Sequence, residues 1–145
     1  MTAIHDILMV EDNEDDIAIA LRAFGKHNLR DRVEVVRDGQ QALDRIRERP
    51  AGEIKVILLD LRMPRVDGRE VLRRLRADER TRAVPVVVIS SSHHVDDIAA
   101  CYRLGANSYV SKRYSTAGAG EYLIDVVQYW VELNRIPDSP IQDHS

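Results

Sequence analysis

The chain has 145 residues, a usual length for one domain with a buried core. Hydrophobic residues make up 44% and charged residues 31%, with only 5% aromatic, so aliphatic side chains must fill that core. The formal net charge of −3 gives no global attraction for nucleic acid, and the single cysteine, Cys101, excludes an intrachain disulfide. No apolar run approaches the roughly 20 residues that cross a bilayer. Met1 to Asp6 is too short and too polar for a signal peptide. The expectation is a cytoplasmic protein with no membrane and no nucleic-acid partner.

Five apolar runs alternate with helical patterns. Ile7-Leu8-Met9-Val10 comes first, followed by a stripe at Ile17, Leu21 and Phe24. Val33-Glu34-Val35-Val36 precedes a helix with Ala42, Leu43 and Ile46 on one face and Asp38 as its N-cap. Val56-Ile57-Leu58-Leu59 leads to a helix opened by Asp67-Gly68, with Val71, Leu72 and Leu75 inward. Val86-Val87-Val88-Ile89 leads to a helix carrying Ile98, Cys101 and Tyr102, which Gly105 ends. Ser108-Tyr109-Val110 precedes a last stripe of Tyr122, Leu123, Val126, Val127, Trp130 and Val131.

Several runs are apolar at consecutive positions, which suits strands buried on both faces. Strand and helix alternating five times predicts an α/β domain with a doubly wound, five-stranded parallel sheet over residues 1–132. Residues 133–145 read as a polar, proline-containing C-terminal extension. A ligand site is expected at the carboxyl ends of the strands.

Chemistry collects at those ends. Glu11-Asp12 follows the first strand, Asp60 the third, Ser90 closes the fourth, and Lys112 follows the fifth. Three clustered carboxylates repel one another and require a counter-cation. Oxygen donors without His or Cys suit Mg²⁺. Lys112 adds a positive charge and Ser90 a hydrogen bond, so the set is suited to neutralising a transferring phosphoryl group. Asp60 is then the nucleophile that becomes an aspartyl phosphate.

These residues resemble the receiver domain of two-component response regulators, a flavodoxin-like (βα)5 fold. The matching pieces are Val10-Glu11-Asp12-Asn13, Leu58 through Pro64, Asp67-Gly68, Pro85 through Ser90, and Gly105 through Lys112. The resemblance covers roughly residues 6 to 132, and the separations of 30 positions from Asp60 to Ser90 and 52 from Asp60 to Lys112 fit it. It implies that Asp60 accepts a phosphoryl group from a histidine kinase. It further implies that Asp12 binds Mg²⁺ directly, Glu11 through water, and Arg62 through its backbone carbonyl. Lys112 pairs with the phosphoryl group, and Ser90 and Tyr109 form the switch. The family usually places proline after this lysine, in a cis bond, whereas Arg113 stands here. The Lys112–Arg113 bond is therefore either trans or strained.

Lys112-Arg113, Ser91-Ser92-His93-His94 and Tyr129-Trp130-Val131-Glu132 also resemble the stand-alone regulators that partner phytochrome-type kinases. That implies a bacteriophytochrome-like kinase and a separate downstream protein. After residue 132 too little chain remains for a DNA-binding module. Tyr122, Val126, Tyr129 and Trp130 exceed what one core needs and suggest a homodimer interface. Two other readings compete. An aspartyl-phosphate phosphatase would carry an acid–base Asp at position 62, where Arg62 stands. A degenerate receiver acting only as a docking module would not keep Asp60 and Lys112. His93-His94 reads as an exposed loop, Cys101 as a packing residue, and Arg73, Arg74, Arg76, Arg80 and Arg82 as a solvated face with local ion pairs.

Overall fold

The computed structural model describes residues 5–112 and 118–137. Strands β1 (Ile7–Val10), β2 (Val33–Val36), β3 (Val56–Leu59), β4 (Val86–Ser90) and β5 (Ser108–Ser111) alternate with helices α1 (Glu14–Lys26), α2 (Gly39–Glu48), α3 (Gly68–Ala77), α4 (Val95–Arg103) and α5 (Tyr122–Gln128). The strands form one parallel sheet in the order β2-β1-β3-β4-β5. This is the expected flavodoxin-like arrangement, with its reversal of strand order beside β1.

The consecutive apolar runs are explained by two cores, one on each face of the sheet. Ile7, Met9, Val56, Leu58, Val87 and Ile89 pack with Ile17 and Phe24 of α1 and Ile124 and Val127 of α5. Their neighbours Leu8, Val10, Ile57, Leu59, Val86 and Val88 pack with Leu43 of α2 and Val71, Leu72 and Leu75 of α3. Alternate side chains leave opposite faces of a strand, so both sets must be apolar.

Helix ends follow local chemistry. Asn13, Asp38 and Asp67 each accept a backbone N–H from three residues onward, capping α1, α2 and α3. Gly105, at φ +102°, ends α4, with Ala106 N–H donating to the Cys101 carbonyl and Gly105 N–H to that of Tyr102. On α4 only Cys101 is fully buried, and Tyr102, expected on the same stripe, is 50% exposed. Successive helical residues lie about 100° apart, so two neighbours cannot both face the sheet behind so narrow a contact.

The last stripe does not continue as α-helix. After α5, Tyr129–Leu133 turns with π-helical bonding. Tyr122, Val126, Trp130 and Val131 are half-buried against the α1–α5 core, while Tyr129 and Leu133 are 49% and 72% exposed. The Tyr129 and Trp130 rings meet edge to face with centroids 4.9 Å apart.

The arginine-rich stretch is divided. Arg73 and Arg74 pair with Glu70 on the helix surface. Arg76 instead is half-buried and donates to the carbonyls of Gly105, Arg82 and Val84 and to Asn107 Oδ1, at 2.8–3.0 Å. It ties the loop before β4 to the loop before β5. Burial lowers its pKa from the free value.

Gly68 opens α3 directly against the β3 exit. A Cβ there would meet the Asp60 carbonyl oxygen and, at 2.7 Å, the Leu61 Cα. Both are backbone atoms that cannot swing aside. Gly68→Ala is therefore expected to lose about 1–3 kcal/mol of stability in chemical denaturation, as overpacked sites do. An unchanged midpoint would show that α3 shifts freely away from β3.

Candidate functional site

Parallel register brings the candidate residues together. Val10 pairs with Leu59, and Asp60 N–H donates to the Val10 carbonyl at 3.0 Å, so Glu11 and Asp60 leave the sheet side by side. Ser90 pairs with Ser111, and Lys112 N–H donates to the Ser90 carbonyl at 2.8 Å. Lys112 therefore emerges on the same edge.

Lys112 occupies the centre. Its Nζ lies 2.7 Å from Glu11 Oε1, 2.8 Å from Asp16 Oδ2 and 3.5 Å from Asp60 Oδ2. Its side chain is 9% exposed, and those of Glu11 and Asp60 are 4% and 10% exposed. Glu11 Oε2 accepts the backbone N–H groups of Asp12 and Asn13 at 3.1 and 3.3 Å. Arg62 is exposed, and its N–H donates to Asp60 Oδ1 at 3.3 Å, placing that backbone at the rim.

Burial, followed by the neighbouring Asp60, pushes the Glu11 carboxyl up to about 8, with Lys112 opposing. Burial alone would lower the Lys112 pKa, but hydrogen bonds to Asp16 and Glu11 and the charge of Asp60 outweigh it and raise it above the free value.

Carboxylate oxygens of Glu11, Asp12 and Asp60 lie within 4.8 Å of one another. Magnesium ligands on opposite sides of the ion stand about 4 Å apart. The trio fits such an ion after slight tightening, or with one carboxylate acting through water. The all-oxygen donor set and the raised Glu11 pKa both mark a place short of positive charge. An open cleft beside it is lined by Asp12, Arg62, Met63, Asp67, Ser90 and Asp97 among others.

The hydroxyl of Ser90, buried at 4% exposure, accepts the Ser92 N–H at 3.1 Å. The Tyr109 hydroxyl donates to the Ser92 carbonyl at 2.9 Å. Both expected switch residues thus hold Ser92, whose own hydroxyl donates to Asp97. Asp97 in turn pairs with Arg69 of α3. Ser92 was visible in the sequence only as part of a serine run, and nothing in the sequence singled out Asp16. Neither role can be read without knowing which loops meet. Arg113 lies outside the described residues, as do residues 138–145 of the C-terminal extension.

The sheet is doubly wound, and an acidic, lysine-centred cleft opens at its carboxyl edge. The profile of the response regulator receiver domain matches residues 7–120, and the chain belongs to that family. It is 40% identical to the probable methanogenesis regulatory protein FilR2 of Methanothrix harundinacea, over 90% of this chain and 86% of that protein. It is 30% identical to the response regulator Rcp1 of Synechocystis, over 90% and 92%. Among solved structures, the phosphorylated cyanobacterial phytochrome response regulator RcpA superposes with a TM-score of 0.77 at 34% identity, covering 90% of this chain and 96% of that one. A Mn²⁺-bound form of Rcp1 gives 0.78 at 29% identity, covering 90% and 97%. Among the described residues, no helix is long and apolar enough to cross a membrane.

The Glu11 shift has a measurable consequence. Its ordinary value is 4.5 and its folded value about 8, so the metal-free fold binds this proton more tightly than the unfolded chain does. Stability from this group is present below about 4.5 and lost as pH rises through 8. Melting in chelator is expected to be lower at about pH 8.5 than at about pH 6, and Mg²⁺ is expected to add more stability at the higher pH. An equal magnesium increment at both pH values would contradict a protonated Glu11.

Proposed function

We propose that this chain is a phosphorylatable response regulator in which Asp60 accepts a phosphoryl group from a histidine kinase. The observation that carries the reading is the Lys112 ammonium held 3.5 Å from Asp60 inside a buried carboxylate cluster. An Asp60 carboxylate oxygen forms the new O–P bond while the P–N bond to the donor imidazole breaks. The electron pair returns to the imidazole nitrogen. Glu11, Asp12, Asp60 and the Arg62 carbonyl are the residues that would hold Mg²⁺. A bound Mg²⁺ would supply the charge that offsets the phosphoryl oxygens. Lys112 stabilises the same oxygens from the β5 side.

Ser90 and Tyr109 pass the change outward. Ser90 would donate its hydroxyl proton to the phosphoryl group, and turning toward that group would shift the oxygen that accepts the Ser92 N–H, while Tyr109 holds the carbonyl of that same residue. The loop from Ser90 to α4 is therefore the element whose position the modification sets. Output is binding to a separate protein, and no turnover of a second substrate is expected, since Arg62 stands where a phosphatase would need an acid. The chain acts in the cytoplasm.

The kinase proposed is of the phytochrome type, supported by the similarity to RcpA and Rcp1. A homodimer forms through Tyr122, Val126, Tyr129 and Trp130. The exposed Tyr129 and Leu133, in the π-helical turn after α5, support it, because large apolar side chains in water favour a partner.

Incubation with Mg²⁺ and acetyl phosphate should give a single phosphoryl adduct by intact mass, absent in Asp60→Asn. An Asp60→Asn protein that still takes up the group would contradict the assignment. Sedimentation should show a dimer that Tyr129→Ala weakens. A monomer at high concentration, with and without phosphorylation, would remove the dimer.

A further inference from the structure

Asp16 belongs to neither the acidic trio nor the switch, yet it makes one of the two shortest contacts to Lys112. We propose that Asp16 is a positioning residue, holding the Lys112 ammonium over Asp60 from the first turn of α1. The inference rests on Asp60 being the phosphoacceptor.

The geometry of the ammonium supports it. Lys112 has three N–H donors. Glu11 and Asp16 take two at 2.7 and 2.8 Å, which leaves the third facing Asp60 at 3.5 Å. A lysine side chain has four rotatable bonds and is not fixed by its backbone alone. Lys112 N–H is tied to Ser90, which sets where the side chain starts but not where it ends. Two carboxylates on different elements set the end. Glu11 is a member of the trio that suits a cation, and its other oxygen already accepts two backbone N–H groups. Asp16 stands outside that trio, so its grip on Lys112 does not compete with a metal.

Asp16 is itself well anchored. It is the third residue of α1, and its N–H donates to the Asn13 side chain at 2.9 Å. The exposed amides of a first helical turn favour a carboxylate there. Its side chain is 18% exposed, so water competes little for the contact. Without Asp16 only Glu11 and Asp60 remain as acceptors, and nothing from α1 holds the ammonium at the distance from Asp60 that leaves room for a phosphoryl oxygen.

The test is the rate of phosphoryl-adduct formation with Mg²⁺ and acetyl phosphate, followed by intact mass. Asp16→Ala is expected to slow it by about tenfold or more, as misplacement of a reacting group does. Asp16→Asn keeps an acceptor oxygen, and its rate is expected to stay within about threefold of the parent even though its charge pair is lost. Melting temperature should fall in both variants, so a purely structural role would slow both alike. In a Lys112→Ala background, Asp16→Ala should have no further effect. A parental rate in Asp16→Ala overturns the proposal, as do a faster rate in Asp16→Ala, an Asp16→Asn rate as low as that of Asp16→Ala, and full additivity with Lys112→Ala. Failure of the parent protein to form any adduct overturns the phosphoacceptor reading instead.

Discussion

One ammonium among four carboxylates is the constraint on which the site depends. Glu11, Asp16 and Asp60 surround Lys112 Nζ, and Asp12 stands at the edge of the same cluster. Buried like charges at such spacing are costly unless paired. One lysine cannot neutralise them all, and burial together with the neighbouring Asp60 raises the Glu11 pKa. A site left short of positive charge favours a divalent cation. On the proposed reading, a bound cation would let the site take up the additional negative charge of a phosphoryl group.

The fold exists, from the site's viewpoint, to hold those charges at one edge. Val10, Leu59 and Ser90 are the last sheet-bound positions of β1, β3 and β4, and the parallel register makes their exits adjacent. Two aliphatic cores fix that register, because a one-residue slip would move each strand's inward sets to the wrong faces. Gly68 then lets α3 start against the backbone of Asp60, closing the exit of β3 from one side. Seventy-eight residues and two faces of packing separate Glu11 from Ser90 along the route, yet only the strand ends need to be exact.

Much of this was legible in the sequence, for identifiable reasons. Strands buried on both faces write continuous apolar runs, so Val56–Leu59 and Val86–Ile89 announce themselves. Asp38 and Asp67 stand immediately before their helices, and Gly105 after α4, where local chemistry alone dictates a cap. Glu11, Asp12, Asp60 and Lys112 were readable as one cluster because the fold class says where strand ends go. Asp16 was not, since its partner lies 96 positions away and its acidic neighbours serve the helix opening equally well. Tyr102 was placed on a helical stripe beside Cys101, but the stripe does not tell which of two adjacent residues wins the buried side. The π-helical turn at Tyr129–Leu133 leaves no mark in side-chain spacing.

The account turns on the identity of one modified atom. Borohydride reduction of the phosphorylated protein converts an aspartyl phosphate to homoserine, and peptide mass spectrometry locates the residue. The account predicts homoserine at position 60 and nowhere else. Conversion at Asp12 or Asp16, or an adduct that resists reduction, would contradict it.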